Sequence, residues 1–365
     1  MFNQAFRNKS VWLSGHTGFK GSWLTQWLLE LGATVHGFAL APDPEASLFT
    51  QLGLARDIQH EIADIRDAAA VAQSIQGTQP DFVFHLAAQP LVRRSYAKPV
   101  ATYATNVMGT THVLEALRAL AKPCVAVFVT TDKCYENREW VHAYREEDSL
   151  GGHDPYSSSK AAAEIAIAAW RRSFFKGHAV RVASARAGNV IGGGDWAEDR
   201  IVPDCIRALQ AGQAVPVRNK TATRPWQHVL EPLSGYLWLA ACLARPDAAD
   251  GQLASAFNFG PGHDANRTVA QLVAEILCHW PGEWEDKSDP QAVHEAGLLQ
   301  LATDKANALL GWFPVWTFSE AVRETTAWYR RHSQGTPPPE LQQFTRGQIA
   351  AYVQRAAALK APWTV

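Results

Sequence analysis

The chain has almost no net charge, with 34 Lys and Arg against 35 Asp and Glu, so it offers no overall attraction to nucleic acid or an anionic membrane. It has no apolar run approaching the roughly 20 residues of a membrane span. The opening MFNQAFRNKSVWL lacks the basic patch and apolar core of a secretory signal, and a cytoplasmic location is the expectation. The five cysteines, Cys124, Cys134, Cys205, Cys242 and Cys278, are odd in number, scattered and without a C-x-x-C pair. That argues against a disulfide framework and a zinc site. The 13 histidines form no H-E-x-x-H motif or close His/Asp cluster, so no metal is expected.

What the chain does have is alternation. SVWLS, TVHGFAL, DFVFHLA, CVAVFVT and AVRVASAR read as strands, separated by amphipathic stretches near 20–31, 66–76, 100–120 and 156–175. This rhythm predicts an α/β fold with a doubly wound parallel sheet. From about residue 188 it gives way to Gly, Pro, Trp and Arg-containing loops. The expected division is a dinucleotide-binding domain over 1–187, with part of 227–260 returning to it, a mainly ligand-shaping region over 188–335, and an extension over 336–365. GTPPPE reads as a linker into a last helix near 340–358.

Gly15, Gly18 and Gly21 follow the first strand in GHTGFKG. A strand, a Gly-rich turn and a helix N-terminus suit a pyrophosphate, because backbone N–H groups point outward and no side chains block the ligand. The spacing G-x-x-G-x-x-G differs from the usual G-x-G-x-x-G. At the end of the second strand, where an acidic residue would bind the adenosine ribose, stands Ala39, and no arginine is placed for a 2′-phosphate. NAD is therefore favoured over NADP. Asp64 is placed either to reach the adenine edge or to cap a helix.

In HDPYSSSK, Asp154 is placed to cap a helix that begins at Pro155, which puts Tyr156 and Lys160 on one face. A neighbouring ammonium and an oxidised nicotinamide stabilise a phenolate able to take a proton from an alcohol. The fourth run ends in TTDK, so Thr130, Thr131, Asp132 and Lys133 emerge at a strand's carboxyl end, where a ligand lies.

GHTGFKGSWL, HLAAQPLVRRSY, TDKCYENREW, DPYSSSK, RAGNVIGGGDW and RPWQHVLEPLSGYLWLA together resemble the extended short-chain dehydrogenase/reductase family, within it the nucleotide-sugar 4,6-dehydratases. The resemblance spans roughly residues 8–330, including LATDKANALLGWFP. It implies a lyase that oxidises carbon 4 of a nucleotide-linked glucose with NAD, loses water across carbons 5 and 6, and is reduced at carbon 6; CDP-glucose is the implied substrate. The implied catalytic residues are Thr131 on the reacting oxygen, Tyr156 as base, Lys160 beside it, Asp132 as acid and Lys133. The cofactor set is Gly15, His16, Gly18, Phe19, Gly21, Asp64, Ile65, Tyr156 and Lys160; the substrate set is Asn189, Arg200 and Arg224, with Arg218 a further candidate.

Three features depart from the family. Lys133 stands where the dTDP-glucose enzymes place a glutamate, leaving it as a base at carbon 5 or as an enolate-stabilising cation. His16 lies in the glycine loop, and the ribose carboxylate is missing. Other nucleotide-sugar dehydratases and 4-epimerases share much of this set, but epimerisation needs no acid at 132; a non-catalytic dinucleotide-sensing protein is the alternative of another class. A homodimer, or a dimer of dimers, through the stretches 100–120 and 157–175 is the expected assembly, with no nucleic-acid or membrane partner.

Overall fold

The computed structural model describes residues 1–246, 248, 251–288 and 298–365. Seven strands form one all-parallel sheet: β1 (Ser10–Ser14), β2 (Thr34–Ala39), β3 (Gln59–Ile62), β4 (Phe82–His85), β5 (Cys124–Val129), β6 (Val180–Ala187) and β7 (Ala256–Phe259). Their order, β7-β6-β5-β4-β1-β2-β3, reverses direction between β1 and β4, and this is the doubly wound arrangement expected.

The sheet is buried on both faces, which explains why β5 (CVAVFV) is apolar at every position and not at alternate ones. In β5, Val125, Val127 and Val129 enter one core, while Cys124, Ala126 and Phe128 enter the other. Each fully buried Val or Phe contributes about 1.5–3 kcal/mol. A charge at Val127 would have no partner within the core.

Two strands lie outside the five read from the sequence. β3 is QHEI, an edge strand exposed along its whole length, so it carries no apolar run. β7 is only four residues long and joins β6 at the opposite edge, pairing Ala256 with Ser184.

The helices that matter for the site are α1 (Phe19–Glu30), α2 (Ala68–Thr78), α3 (Gly109–Arg118), α4 (Pro155–Ser173) and α5 (Leu230–Leu243). The stretch 100–120 is not one uniform helix: a π turn over Ala104–Met108 precedes α3. The last helix, α6 (Pro338–Ala358), starts inside the proline run with proline in its first turn, where a missing N–H costs nothing. It is docked. Its Tyr352 lies edge-on to Trp27 of α1 at 5.8 Å and stacks on Trp363, which stacks on Phe2 at 5.2 Å. The Asn3 amide donates to the Val365 carbonyl at 2.8 Å, so the two ends of the chain meet on one face. Among the described residues no helix is long and apolar enough to cross a membrane.

Candidate active site

A cavity of about 2040 Å³ opens beyond the carboxyl ends of the central strands, lined by the segments that follow β1, β4, β5 and β6. Pockets for one drug-sized ligand run to roughly 1,000 Å³, so there is room here for two ligands together.

After β1 the chain turns at Gly15, with φ 77°; a Cβ there would lie 2.8 Å from the Ala87 amide nitrogen. Gly21 lets α1 start against this turn, since its Cβ would fall on the Gly15 carbonyl oxygen, 2.1 Å away. Gly18 is the N-cap, with extended backbone and no side-chain cap. The first amides of α1 therefore lack a side-chain acceptor, and both the turn and the helix dipole fit a pyrophosphate.

Phe19, Asp64 and Ile65 line the same cavity. Asp64 is held by Arg66, whose Nη2 lies 2.5 Å from Oδ2 and keeps the carboxyl below its ordinary range. It accepts from the Arg66 amide at 2.9 Å and caps no helix: α2 is capped by Asp67, which accepts from the Ala69 and Ala70 amides. His16 departs from the expectation. Its ring is fully buried away from the cavity, edge-on to Phe49 at 5.1 Å and His60 at 5.5 Å. Burial, with His60 nearby, pushes its pKa down to about 4, so the ring is a neutral packing element and brings no side chain to the cofactor set. Ala39 ends β2 at the cavity wall without a carboxylate, and Asp43 beyond it accepts from the Glu45 and Ala46 amides.

Asp154 caps α4 as its sequence requires, accepting from the Tyr156 and Ser157 amides at 3.0 Å. Tyr156 and Lys160, one turn apart, are both buried at the cavity. Burial pushes the Tyr156 phenol up to about 12; the Thr131 hydroxyl draws it back and Asp132 raises it further. Burial pushes Lys160 down to about 8, against the pull of Glu164. The phenol is therefore protonated at neutral pH, and its ionisation needs further positive charge beside it.

Thr131 Oγ1 donates to Asp132 Oδ1 at 2.9 Å and accepts from the Lys133 amide. Asp132 is buried, and its Oδ2 accepts no hydrogen bond from any described residue. Thr131, Asp132, Lys133, Tyr156 and Lys160 thus share one cavity with Asn189, Arg200 and Arg224. Arg200 pairs with buried Asp195 at 2.7 Å, deep enough for Tyr156 to feel its charge. Arg224 sits on the strand Thr223–Pro225, opposite Arg267. Arg218 bridges Asp199 and Asp204 at the rim.

Sequence reasoning missed Lys20. It lines the cavity, and its Nζ donates to the buried Tyr236 hydroxyl at 3.4 Å. Burial, then Arg200, lowers its pKa to about 7, with Asp132 opposing. A cation just before the third glycine was the available signal.

A family model described as GDP-mannose 4,6 dehydratase matches residues 13–325. The CDP-glucose 4,6-dehydratase of Salmonella typhimurium is 45% identical, covering 90% of this chain and 93% of that protein. The dTDP-glucose 4,6-dehydratase 1 of Escherichia coli is 28% identical over 74% of this chain and 78% of its own. Among solved structures, the dTDP-glucose 4,6-dehydratase DesIV of Streptomyces venezuelae, with NAD bound, aligns with a TM-score of 0.75 at 23% identity, covering 90% of this chain and 99% of that one. Epimerase Mth375 of Methanothermobacter thermautotrophicus aligns at 0.78 and 23%, covering 91% and 95%. At such identities the structural likenesses establish the shared fold.

Proposed function

This chain belongs to the GDP-mannose 4,6-dehydratase family, and on that premise we propose that it converts CDP-glucose to CDP-4-keto-6-deoxyglucose and water. The observation that carries the reading is Asp132, a buried acid hydrogen-bonded to Thr131 in the cavity that also holds Tyr156 and Lys160. An epimerase needs no proton donor there; a dehydratase does.

The turn from Gly15 to Gly21 and the uncapped start of α1 suit the pyrophosphate of NAD. When bound, NAD supplies the hydride acceptor at carbon 4 and the donor at carbon 6. Tyr156, held as the phenolate by the Lys160 ammonium beside it, takes the proton of the 4-hydroxyl and becomes the neutral phenol. The 4-ketone acidifies carbon 5. Lys133 serves that carbon, as base or as the cation beside its enolate, and Asp132 protonates the departing 6-hydroxyl. Arg224 and Asn189 take the diphosphate and nucleoside, with Arg200 nearer the sugar.

Incubating the purified protein with NAD and CDP-glucose and following the 4-keto product by NMR tests the reading. Conversion to the 4-epimer would make it an epimerase, and cofactor binding without turnover would make it a binding protein. We also propose a homodimer through the surface carrying Val100, Met108 and Ile165, which are 81%, 49% and 57% exposed on the two stretches read as pairing helices. Sedimentation of the wild type against a Val100→Glu, Ile165→Glu variant tests it.

A further inference from the structure

The loop that carries Thr131, Asp132 and Lys133 is tied at both ends to a buried charge pair that touches none of the reacting groups assigned above. Glu164 lies one turn beyond Lys160 on α4, and Arg186 on β6 is its partner at 2.8 Å; both side chains are almost wholly buried. Glu164 also accepts from the Thr130 hydroxyl and, at 2.9 Å, from Ser184. Arg186 donates to the Tyr135 hydroxyl at 2.7 Å and to the Glu146 carbonyl at 3.1 Å, and Tyr135 donates onward to Asn258 of β7 at 2.8 Å. Thr130 directly precedes the loop and Tyr135 closes it.

We infer that Glu164 and Arg186 are positioning residues: through Thr130 and Tyr135 they set the acid-bearing loop against the Tyr156 and Lys160 face of α4. The physical reason is economy of parts. Asp132 and Tyr156 stand on different elements, a loop after β5 and a helix after it, and must serve carbons of one sugar ring. Glu164 stands on the helix and bonds the first loop end directly. Arg186 bonds Glu164 and the second loop end. A buried pair is weak evidence for stability, since desolvation offsets most of its attraction, whereas its geometry restricts where its partners can lie. Displacement by about 1 Å at reacting groups can cost roughly a hundredfold in rate.

This inference rests on the dehydratase reading, and the test separates the two. Thr130→Val keeps shape and the charge pair but removes the first tie; Tyr135→Phe removes the second. With NAD supplied, each should lower kcat about ten- to a hundredfold with KM for CDP-glucose changed less than about threefold, and Thr130→Ser should restore kcat. Loss of folded protein would instead lower the active fraction without changing the turnover of the sites that remain. Independently of turnover, hydrogen exchange at the Lys133 and Cys134 amides should quicken in Thr130→Val and Tyr135→Phe while that of α4 stays as in the wild type. Wild-type kcat in both variants, or a serine variant as slow as the valine one, would overturn the positioning role. A wild type inactive on CDP-glucose would refute the substrate reading alone, and unchanged exchange in both variants would still refute the positioning.

Discussion

A Cβ on residue 188 would stand 3.0 Å from Asp132 Oδ2, so Gly188, just past β6, leaves the space in which the carboxylate of the loop after β5 lies. Gly188→Ala should push that carboxylate aside. The expected outcome is a fall in kcat of about tenfold with KM changed less than about threefold, because the displaced group acts in the transition state and not in binding. Steady-state kinetics with CDP-glucose checks this; a wild-type kcat would mean that the acid has room to spare.

Tyr156 and Asp132 serve different steps, so their variants should fail differently. Tyr156→Phe lacks the base that starts the reaction, and neither reduced nicotinamide nor product should form. Asp132→Asn keeps that base but donates a proton poorly, and general acid catalysis contributes about 10² to 10⁴ in rate. Single-turnover absorbance should show reduced nicotinamide accumulating, with solvent deuterium entering carbon 5. An Asp132→Asn enzyme turning over at the wild-type rate would remove Asp132 from the acid's role.

Ala39 closes β2 without a carboxylate, and Asp43 is occupied with its own turn. The protein should lose part of its NAD on purification and recover activity when NAD is added, with NADP much weaker. Ala39→Asp should tighten NAD about tenfold or more by calorimetry, the worth of a hydrogen bond to a charged group. A preparation fully loaded as isolated and indifferent to added NAD would contradict this.

Arg224 makes a contact that ground and transition states share, if it pairs with the diphosphate. Arg224→Ala should raise KM about ten- to a hundredfold and leave kcat within about threefold. An unchanged KM would assign the diphosphate to other groups.

Glu231 on α5 is a buried carboxyl that accepts from the Val315 and Trp316 amides and the Tyr352 hydroxyl, tying α5 to α6. Burial pushes its pKa up to about 7 despite those three donors. An unfolded glutamate titrates near about 4.3, so the folded chain holds this proton over a pH range in which the unfolded chain has released it. The stabilisation is fully present below the unfolded value and is lost as pH rises through about 7. Urea unfolding between about pH 5 and about pH 8 should show the wild type losing stability relative to Glu231→Gln as pH rises. A difference independent of pH would show that the carboxyl is ionised throughout.

Where a rule is local, the sequence was enough. The turn after β1, the Asp154 cap and the shared face of Tyr156 and Lys160 follow from φ preferences, capping chemistry and the helical repeat, none of which requires a distant partner. The five strands read from the sequence were equally legible, because a strand buried on both faces carries a short run rich in apolar and β-branched residues. β3 was not, since an exposed edge strand has no such signature.

Tertiary structure decided the rest, in each case through residues far apart in the chain. Whether His16 faced the ligand or the core depended on Phe49 and His60, 33 and more residues away, and burial between them made it neutral packing. The reach of Lys20 depended on Tyr236, the seat of α6 on Trp27 and Glu231, and the tie between Glu164 and Arg186 on two elements that meet only once the sheet has formed. Composition and periodicity specify which side chains must leave water; which buried polar group each one meets there is set by the register of β5, β6 and β7, and no short window of the chain contains all three.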